Sequence, residues 1–296
     1  MDLDSNAHLI RIFGTIFAGL LGLAFGSFLN VCLSRWPAGE SIVKPGSHCR
    51  NCDHMLAWWE NIPLVSWLAL RGRCRKCQTA ISWRYTLVEL SIGVLWANAA
   101  WSSISEIPLL PSTAISMAEE GLAQLIFVWI LIALAFLDAE SLWLPNFLTL
   151  PGTFLGLLLT FFFQSHGNSF FRPAQPFRLF LLRVVGIFAA AALILLIRWL
   201  YKLIRHREGI GLGDAKLMAL LAAWLGLPGT LLSFFFAAIL GSLAALALLA
   251  VPTARRDSDS WANSKLPLGT FLCIGGIVSS LWGQQILAAY FRWAGF

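Results

Sequence analysis

The chain has 296 residues, of which 58% are hydrophobic and 12% are charged, whereas soluble proteins average about 45–50% apolar and about 25% charged residues. Together with a mean hydropathy of +0.74, this composition excludes a soluble globular, disordered or collagen-like protein. The net charge of +6 does not indicate a nucleic-acid partner, because Lys and Arg in a membrane protein mainly mark its cytoplasmic loops. We therefore expect an all-α polytopic protein whose partner is the lipid bilayer.

Apolar segments follow one another along the whole chain, most of them close to the roughly 20 residues that span a membrane. They predict about eight transmembrane helices, at residues 9–34, 86–105, 121–140, 146–164, 178–200, 212–227, 229–251 and 267–291. The sixth segment is short and ends near Pro228-Gly229. A re-entrant element is therefore the alternative there, and it would invert the topology of everything downstream.

One long connection, from Arg35 to Arg84, holds eight Lys/Arg and three acidic residues. The positive-inside rule predicts that this loop is cytoplasmic. Because successive spans cross the membrane in alternate directions, the eight predicted spans then place both termini outside. Two connections agree with this orientation, because residues 106–120 carry only acidic charges and residues 198–208 are mainly basic. Arg172 and Arg178 fall on the predicted outside and fit poorly.

The long loop contains two CxxC pairs separated by 21 residues. Four thiolates can bind one tetrahedral zinc ion and leave no position for water, which is typical of a structural site. The alternatives are two disulfides or four free thiols, and a reducing cytoplasm disfavours the disulfides. We predict a zinc-ribbon-like domain with the ligands Cys49, Cys52, Cys74 and Cys77.

An aromatic stretch between the two pairs contains Trp58-Trp59 and Trp67. Tryptophan prefers the headgroup layer of a membrane, so the small domain could rest on the membrane face. Packing of these rings around the metal is an equal and compatible alternative.

Two aspartates fall at the predicted cytoplasmic boundary. Asp138 closes the third segment, and Asp214 opens the sixth within Gly211-Leu212-Gly213-Asp214-Ala215-Lys216. Taken singly, either carboxylate could be solvated, and Asp214 could merely cap its helix. The glycines at 211 and 213 allow close backbone approach, which favours a paired site. Two adjacent carboxyls sharing a proton and a water can hydrolyse a peptide bond by general acid–base catalysis.

Two further charged residues lie near the same boundary. Glu89 could contact a substrate, a metal or a cofactor, or pair with Arg84 or Lys216, and a structural ion pair is favoured. Lys216 could bias the aspartates toward ionisation or meet lipid phosphate.

In their joint order, these motifs resemble those of the type IV prepilin leader peptidases, which are bacterial inner-membrane aspartic proteases. The resemblance covers nearly the whole chain. Besides the two CxxC pairs, it is carried by Gly26-Ser27-Phe28-Leu29-Asn30-Val31 with Arg35, Asn61-Ile62-Pro63, Tyr85 with Glu89, Asp138 with Leu144-Pro145, Gly211-x-Gly213-Asp214-x-Lys216, and Leu266-Pro267-Leu268-Gly269.

The resemblance implies a bifunctional enzyme whose active site faces the cytoplasm. Such an enzyme cleaves a short basic leader after a glycine in type IV prepilins or type II secretion pseudopilins. It then N-methylates the new N-terminus with S-adenosylmethionine. The catalytic residues would be Asp138 and Asp214, the four loop cysteines would bind structural zinc, and Gly26–Asn30, the zinc loop and Glu89 would be candidate contacts for S-adenosylmethionine.

The resulting domain prediction has three parts: a first transmembrane helix at 1–34, a cytoplasmic tetra-cysteine zinc loop at 35–85, and a transmembrane aspartic protease core at 86–296. Asn30, Glu89, Gly211, Gly213 and Lys216 complete the candidate substrate or cofactor contacts.

Three departures from the family pattern stand out. Pro145-Asn146 replaces a usual Pro-Asp pair, Pro267-Leu268-Gly269-Thr270 replaces Pro-Phe-Gly-Pro, and the regions around Trp143 and Trp58-Trp59 are bulkier than usual. None of them is expected to touch the catalytic pair, and Asn146 could instead cap the fourth helix.

Two other functions remain open. Paired membrane aspartates could serve a proton- or cation-coupled transporter, although both acids lie at one boundary and no matching pair of broken helices is visible. A non-catalytic zinc-bearing scaffold for a secretion apparatus is the second alternative.

Overall fold

The computed structural model describes residues 3–104, 111–162, 176–206, 211–250 and 266–295. Its helices confirm the all-α class: α1 Leu3–Arg35, α2 Val65–Ala69, α3 Arg84–Ser103, α4 Pro111–Ser141, α5 Asn146–Phe162, α6 Pro176–Arg205, α7 Leu212–Ala250 and α8 Leu268–Ala294, with a 3-10 turn at Trp58–Asn61. The predictions drawn from charges in 105–110, 163–175, 207–210 and 251–265 lie outside the described residues.

Five described helical spans are long and apolar enough to cross a membrane: His8–Arg35, Glu119–Ser141, Phe177–Arg205, Leu212–Ala247 and Leu268–Ala294. The helix at Asn146–Thr160 is apolar but shorter. The chain is therefore a multi-pass membrane protein, and the predicted number of eight spans stays a prediction.

Helix α7 is broken at Gly226, whose backbone has φ 70° and ψ 175°. A positive φ of this size suits glycine, which has no Cβ to clash with the following carbonyl. Pro228, which donates no backbone hydrogen bond, follows two residues later. The break falls where the sequence predicts a boundary between segments 212–227 and 229–251.

The chain forms two compact units, Met1–Ala133 and Leu134–Phe296. The sequence-based division into 1–34, 35–85 and 86–296 was drawn from the motifs of each segment, whereas these two units are defined by how the chain packs in space. The three-part division stays a prediction.

In the N-terminal unit, α1 packs closely against α3. A Cβ added at Gly26 would lie 2.6 Å from Glu89 Cα, and one at Gly22 would lie 2.9 Å from Gly93 Cα. Small residues at these crossings let two membrane helices approach through their backbones. This packing fixes the register of α1 against Glu89.

In the C-terminal unit, α7 packs against α5, α6 and α8. Trp224 donates to the carbonyl of Gly152 at 2.8 Å, and Ser279 donates to the carbonyl of Gly229 at 2.9 Å. Such interhelical hydrogen bonds, formed by polar groups that have no water to bind, lock helices together in a membrane. The amino-terminal ends of α7 and α8 are thereby held in one packed unit.

Candidate active site and cysteine cluster

Asp138 lies in the last turn of α4 and is 5% exposed. Its Oδ2 accepts a hydrogen bond from the backbone N–H of Thr270 at 2.7 Å, and the Thr270 hydroxyl lies 3.1 Å from the same oxygen. Thr270 belongs to the first turn of α8, where the N–H groups have no partner within the helix. Asp138 therefore caps a helix to which it does not belong, and α8 holds the carboxylate in one orientation.

Asp214 lies in the first turn of α7 and is 7% exposed. Its Oδ2 accepts from the N–H of Gly211 at 3.0 Å, which is a local capping contact. A Cβ added at Gly213 would lie 3.0 Å from Leu144 Cδ1. The glycines of this motif thus let the turn close around Asp214 and let Leu144 pack directly on the backbone.

The two aspartates have adjoining surroundings. Both carboxyl groups are buried in the C-terminal unit. Leu144 packs against Gly213, which precedes Asp214, and also against Gly269. Gly269 in turn lies beside Asp138, because a Cβ added there would be 2.9 Å from Asp138 Cγ. Two buried carboxyls in adjoining surroundings can serve as an acid–base pair.

The departure at Thr270 does touch the predicted catalytic pair, contrary to the expectation from sequence. A proline, usual in the family at this position, has no backbone N–H to donate, whereas Thr270 supplies an N–H and a hydroxyl to Asp138. Sequence reasoning missed this contact because 132 residues separate the two partners. The only available signal was the position of Thr270 within the Pro267-Leu268-Gly269-Thr270 motif.

Lys216 donates to the side-chain oxygen of Asn146 at 2.7 Å. This pair joins the amino-terminal parts of α5 and α7. The side chain of Asn146 is thus engaged by Lys216, which differs from the expected role as a cap of α5. The side-chain amide of Asn146 accepts the same hydrogen bond that an aspartate would accept. Because the amide is neutral, Lys216 does not form here the ion pair that the usual Pro-Asp sequence would provide.

The four loop cysteines form a compact cluster, with their sulfur atoms within 4.8 Å of one another. Cys49 and Cys77 sulfurs are 3.7 Å apart, and those of Cys52 and Cys74 are 4.0 Å apart. Tetrahedral zinc with bonds of about 2.3 Å separates its sulfur ligands by about 3.8 Å. The cysteines are free thiols and fit one tetrahedral metal ion, whereas the disulfide alternative does not describe this structure.

Each cysteine pair sits in a tight turn closed by an isolated antiparallel bridge, His48 to Met55 or Arg73 to Ala80. This arrangement matches the predicted ribbon-like loop. The hydroxyl and backbone N–H of Thr79 lower the pKa of the Cys77 thiol to about 5. At Cys77 the turn therefore favours the thiolate, which is the form that binds a metal.

The tryptophans of the loop behave differently from one another. Trp67 packs beneath Gly72 and donates to the carbonyl of Ile81 at 3.3 Å, and Trp59 lies 5.0 Å from the guanidinium carbon of Arg75. Trp58 is 81% exposed. Two rings therefore stabilise the loop itself, and Trp58 is available to a surface such as the headgroup layer.

Asn30 and Glu89 lie in the N-terminal unit, whereas the two aspartates lie in the other unit. Glu89 accepts from the N–H of Leu64 at 2.8 Å and bonds the Ser27 hydroxyl. In place of the ion pair favoured from the sequence, the structure gives Glu89 a backbone amide of the cysteine loop as its partner. Glu89 fastens that loop to α3.

Comparison with known proteins gives two family matches along the chain. Residues 20–103 match the Bacterial Peptidase A24 N-terminal domain, and residues 125–246 match the Type IV leader peptidase family. No solved structure matches.

Several relatives match over almost their entire length, and each is named "Prepilin leader peptidase/N-methyltransferase". The protein from Stutzerimonas stutzeri is 34% identical over 93% of this chain and 93% of its own length. The one from Pseudomonas aeruginosa is 33% identical over 94% and 93%, and the one from Dichelobacter nodosus is 36% identical over 94% and 96%.

Proposed function

We propose that this chain, which belongs to the type IV leader peptidase family, cleaves the leader peptide of type IV prepilins and N-methylates the N-terminus that the cut exposes. The relatives that match along the whole chain carry both activities in their name. Family membership makes the chain a membrane aspartic peptidase. A transporter or a non-catalytic scaffold is not favoured by this relationship.

The observation that carries the peptidase assignment is the environment shared by Asp138 and Asp214 in the C-terminal unit. Both carboxyls are buried, they come from different helices, and Leu144 packs beside both of their surroundings, at Gly213 and at Gly269. One carboxylate takes a proton from a water molecule, and the oxygen of that water attacks the scissile carbonyl carbon. The other carboxyl group protonates the carbonyl oxygen at the same time. The C–N bond then breaks, and the leaving amine receives a proton from the pair.

The second activity would act on the new N-terminal amine. S-adenosylmethionine would supply the methyl group, and Gly26–Asn30, the cysteine loop and Glu89 are the residues that would hold it.

The cysteine cluster would hold one structural zinc ion through Cys49, Cys52, Cys74 and Cys77. Four thiolates close the coordination sphere, so no metal-bound water is left for hydrolysis. The ion would fix the loop and leave peptide cleavage to the aspartates.

We place the enzyme in the bacterial inner membrane, with Asp138 and Asp214 at the cytoplasmic face, and we include type II secretion pseudopilins among its substrates. The basic character of residues 35–84 supports this orientation through the positive-inside rule. A basic leader also remains in the cytoplasm by the same rule, so leader and active site would share one compartment.

The test compares Asp138→Asn and Asp214→Asn with the wild type in membranes that contain a leader-bearing pilin. Each variant is expected to lose cleavage by at least about a thousandfold, in line with the loss of an essential acid–base group, with protein abundance unchanged. Glu140→Gln is the matched control, because Glu140 is an exposed carboxylate two residues from Asp138, and it should cleave normally.

Normal processing by both aspartate variants would overturn the peptidase mechanism and favour the scaffold. Mass spectrometry of the pilin product, with and without S-adenosylmethionine, reports methylation separately: a gain of one methyl group supports the second activity, and its absence from a cleaved product contradicts it.

A further inference from the structure

The short helix α2, at Val65–Ala69 in the cysteine loop, presents apolar side chains on its outer side. Val65 is 58% exposed and Leu68 is 67% exposed, and their spacing of three residues places them on the same face of the helix. Ile62, just before the helix, is 36% exposed. We call Ile62, Val65 and Leu68 the α2 patch.

The inner side of α2 is already filled by the loop itself. Trp67 lies beneath Gly72 and donates to the carbonyl of Ile81 at 3.3 Å. Helix α2 therefore has a fixed orientation in the loop, and the α2 patch is left on the side that the loop does not cover.

Contacts with α1 and α3 set the level of α2 along these helices. The N–H of Leu64, directly before α2, donates to Glu89 of α3, which also bonds the Ser27 hydroxyl of α1. One cavity is lined both by the chain next to α2 and by one face of α1: Asn61, Pro63, Ala24, Ser27, Phe28 and Val31. A helix rises about 1.5 Å per residue, so these α1 residues lie about 6–16 Å inside the Arg35 end of the helix.

This level corresponds to the boundary between headgroups and acyl chains. The membrane-spanning segment of α1, His8–Arg35, has 28 residues, so it measures about 42 Å as a straight helix. The hydrocarbon core of a bilayer is about 30 Å thick, which leaves about 6 Å of this segment in the headgroup layer at each end. Helix α2 therefore lies at the depth taken by interfacial helices, whose apolar face enters the outer part of the acyl chains.

The residues that follow the α2 patch suit the headgroup layer. Arg71 and Arg73 come three and five residues after Leu68, and both are exposed. Arginine can lay its apolar stem along acyl chains while its guanidinium reaches a phosphate, and anionic lipids attract such cations. Trp83, directly before α3, is 67% exposed, and tryptophan is enriched at this layer.

We propose that the α2 patch is embedded in the lipid leaflet at the Arg35 end of α1, with its side chains among the acyl chains and with Arg71 and Arg73 at anionic phosphates. The cysteine loop is then held from two sides, by the bond of Leu64 to Glu89 and by lipid. This interaction surface does not depend on either proposed activity.

The test places the full chain in nanodiscs of phosphatidylethanolamine and phosphatidylglycerol that contain a phospholipid with a diazirine near the top of its acyl chain. After irradiation, mass spectrometry should find lipid adducts on the α2 patch. Leu68→Asp is expected to lower this labelling by about tenfold, because a charge is costly in lipid. Phe28 of α1, at the same level and 46% exposed, is the internal standard, and its labelling should not change.

Leu68→Met is the matched control, because methionine keeps an apolar side chain and should be labelled like the wild type. The thermal midpoint of Leu68→Asp in detergent should equal that of the wild type, since Leu68 is exposed within the protein itself. Combining Arg71→Gln with Arg73→Gln tests the headgroup contact: replacing phosphatidylglycerol by phosphatidylcholine should lower labelling of the patch in the wild type but not in this double variant.

A second experiment asks whether a protein covers the patch instead of lipid. Photoreactive p-benzoylphenylalanine in place of Leu68 should form adducts with phospholipid in membranes. Cross-links to a second copy of the chain or to a pilin would overturn the lipid assignment and identify a protein interface. Wild-type nanodiscs with adducts on Phe28 but none on the α2 patch, or equal labelling of Leu68→Asp and the wild type, would overturn it as well.

Discussion

At the scale of single residues, Thr270 shows how one side chain can adjust a site assembled from distant helices. Its N–H and hydroxyl reach Oδ2 of Asp138, and the hydroxyl also lies 3.1 Å from the carbonyl of Ala135. Hydrogen bonds to a charged group contribute about 1.5–3 kcal/mol. Thr270 is therefore a positioning residue that orients Asp138 without itself meeting the substrate.

We expect Thr270→Val to lower the turnover number for leader cleavage by about tenfold, because the hydroxyl donor is lost while the N–H remains. The Michaelis constant should change little, since Asp138 acts on the scissile bond and not on the rest of the substrate. Steady-state kinetics with a leader-bearing peptide measures both quantities.

Thr270→Ser is the control for this experiment, because serine keeps the hydroxyl and should restore turnover. If valine and serine were equally slow, the packing of the side chain at this position, and not the hydrogen bond, would explain the loss.

At the scale of secondary-structure elements, an arginine of a neighbouring helix supports the break in α7. Arg183 of α6 donates to the carbonyl of Ala222 at 3.5 Å, and a Cβ added at Gly226 would lie 3.0 Å from its Nη1. A helix break frees carbonyls that need donors. The guanidinium meets that need from a neighbouring helix, and it thereby helps to fix the direction of the half of α7 that carries Asp214.

Gly226→Ala should destabilise the protein by about 1–3 kcal/mol, because alanine is strained at a positive φ and its Cβ would press on Arg183. Thermal unfolding in detergent should show a lower midpoint than in the wild type.

Gly186→Ala is the matched substitution on α6. A Cβ there meets Leu227 at an ordinary 3.7 Å and the backbone is helical, so the midpoint should stay within a degree or two of the wild type. Equal midpoints for the two variants would show that the break is not held by the glycine.

The cysteine loop is the second element considered at this scale, and we expect its stability to depend on bound zinc. We expect about one zinc per chain in purified protein, and loss of that zinc with lower abundance in Cys49→Ser combined with Cys77→Ser, because structural zinc supplies folding free energy. Elemental analysis alongside immunoblotting measures both.

Cys32→Ala serves as the comparison, since Cys32 is buried in α1 away from the cluster, and its zinc content should equal that of the wild type. Purified wild-type protein without metal would contradict the zinc assignment of this loop.

At the scale of the whole molecule, the chain divides its chemistry between two compact units. The cysteine loop and Glu89 belong to the N-terminal unit, and the buried aspartates belong to the C-terminal unit. The two family matches, residues 20–103 and 125–246, fall on either side of nearly the same division. We therefore expect cleavage and methylation to be separable by substitution.

The orientation of the chain is testable with reporter fusions in a bacterial host. Green fluorescent protein fused after His206 should fluoresce, because the positive-inside rule places the basic end of α6 in the cytoplasm. Alkaline phosphatase fused after Phe296 should be active, since parity places the C-terminus outside. The reverse pair of results would invert the topology and move the aspartates away from a cytoplasmic leader.

Much of this molecule could be predicted from local sequence. Long apolar runs need internally bonded helices in lipid, so the class follows from composition. The CxxC spacing indicates a metal cluster because four thiols in two short turns suit one tetrahedral ion. The glycines around Asp214 indicate a tight turn because only they tolerate close backbone approach.

Contacts between distant segments needed the tertiary structure. The bond from Thr270 to Asp138, the backbone partner of Glu89 and the pairing of Lys216 with Asn146 each depend on which helix ends pack together, and local sequence does not encode that choice. Sequence determined which groups the chain carries, and packing decided which of them meet.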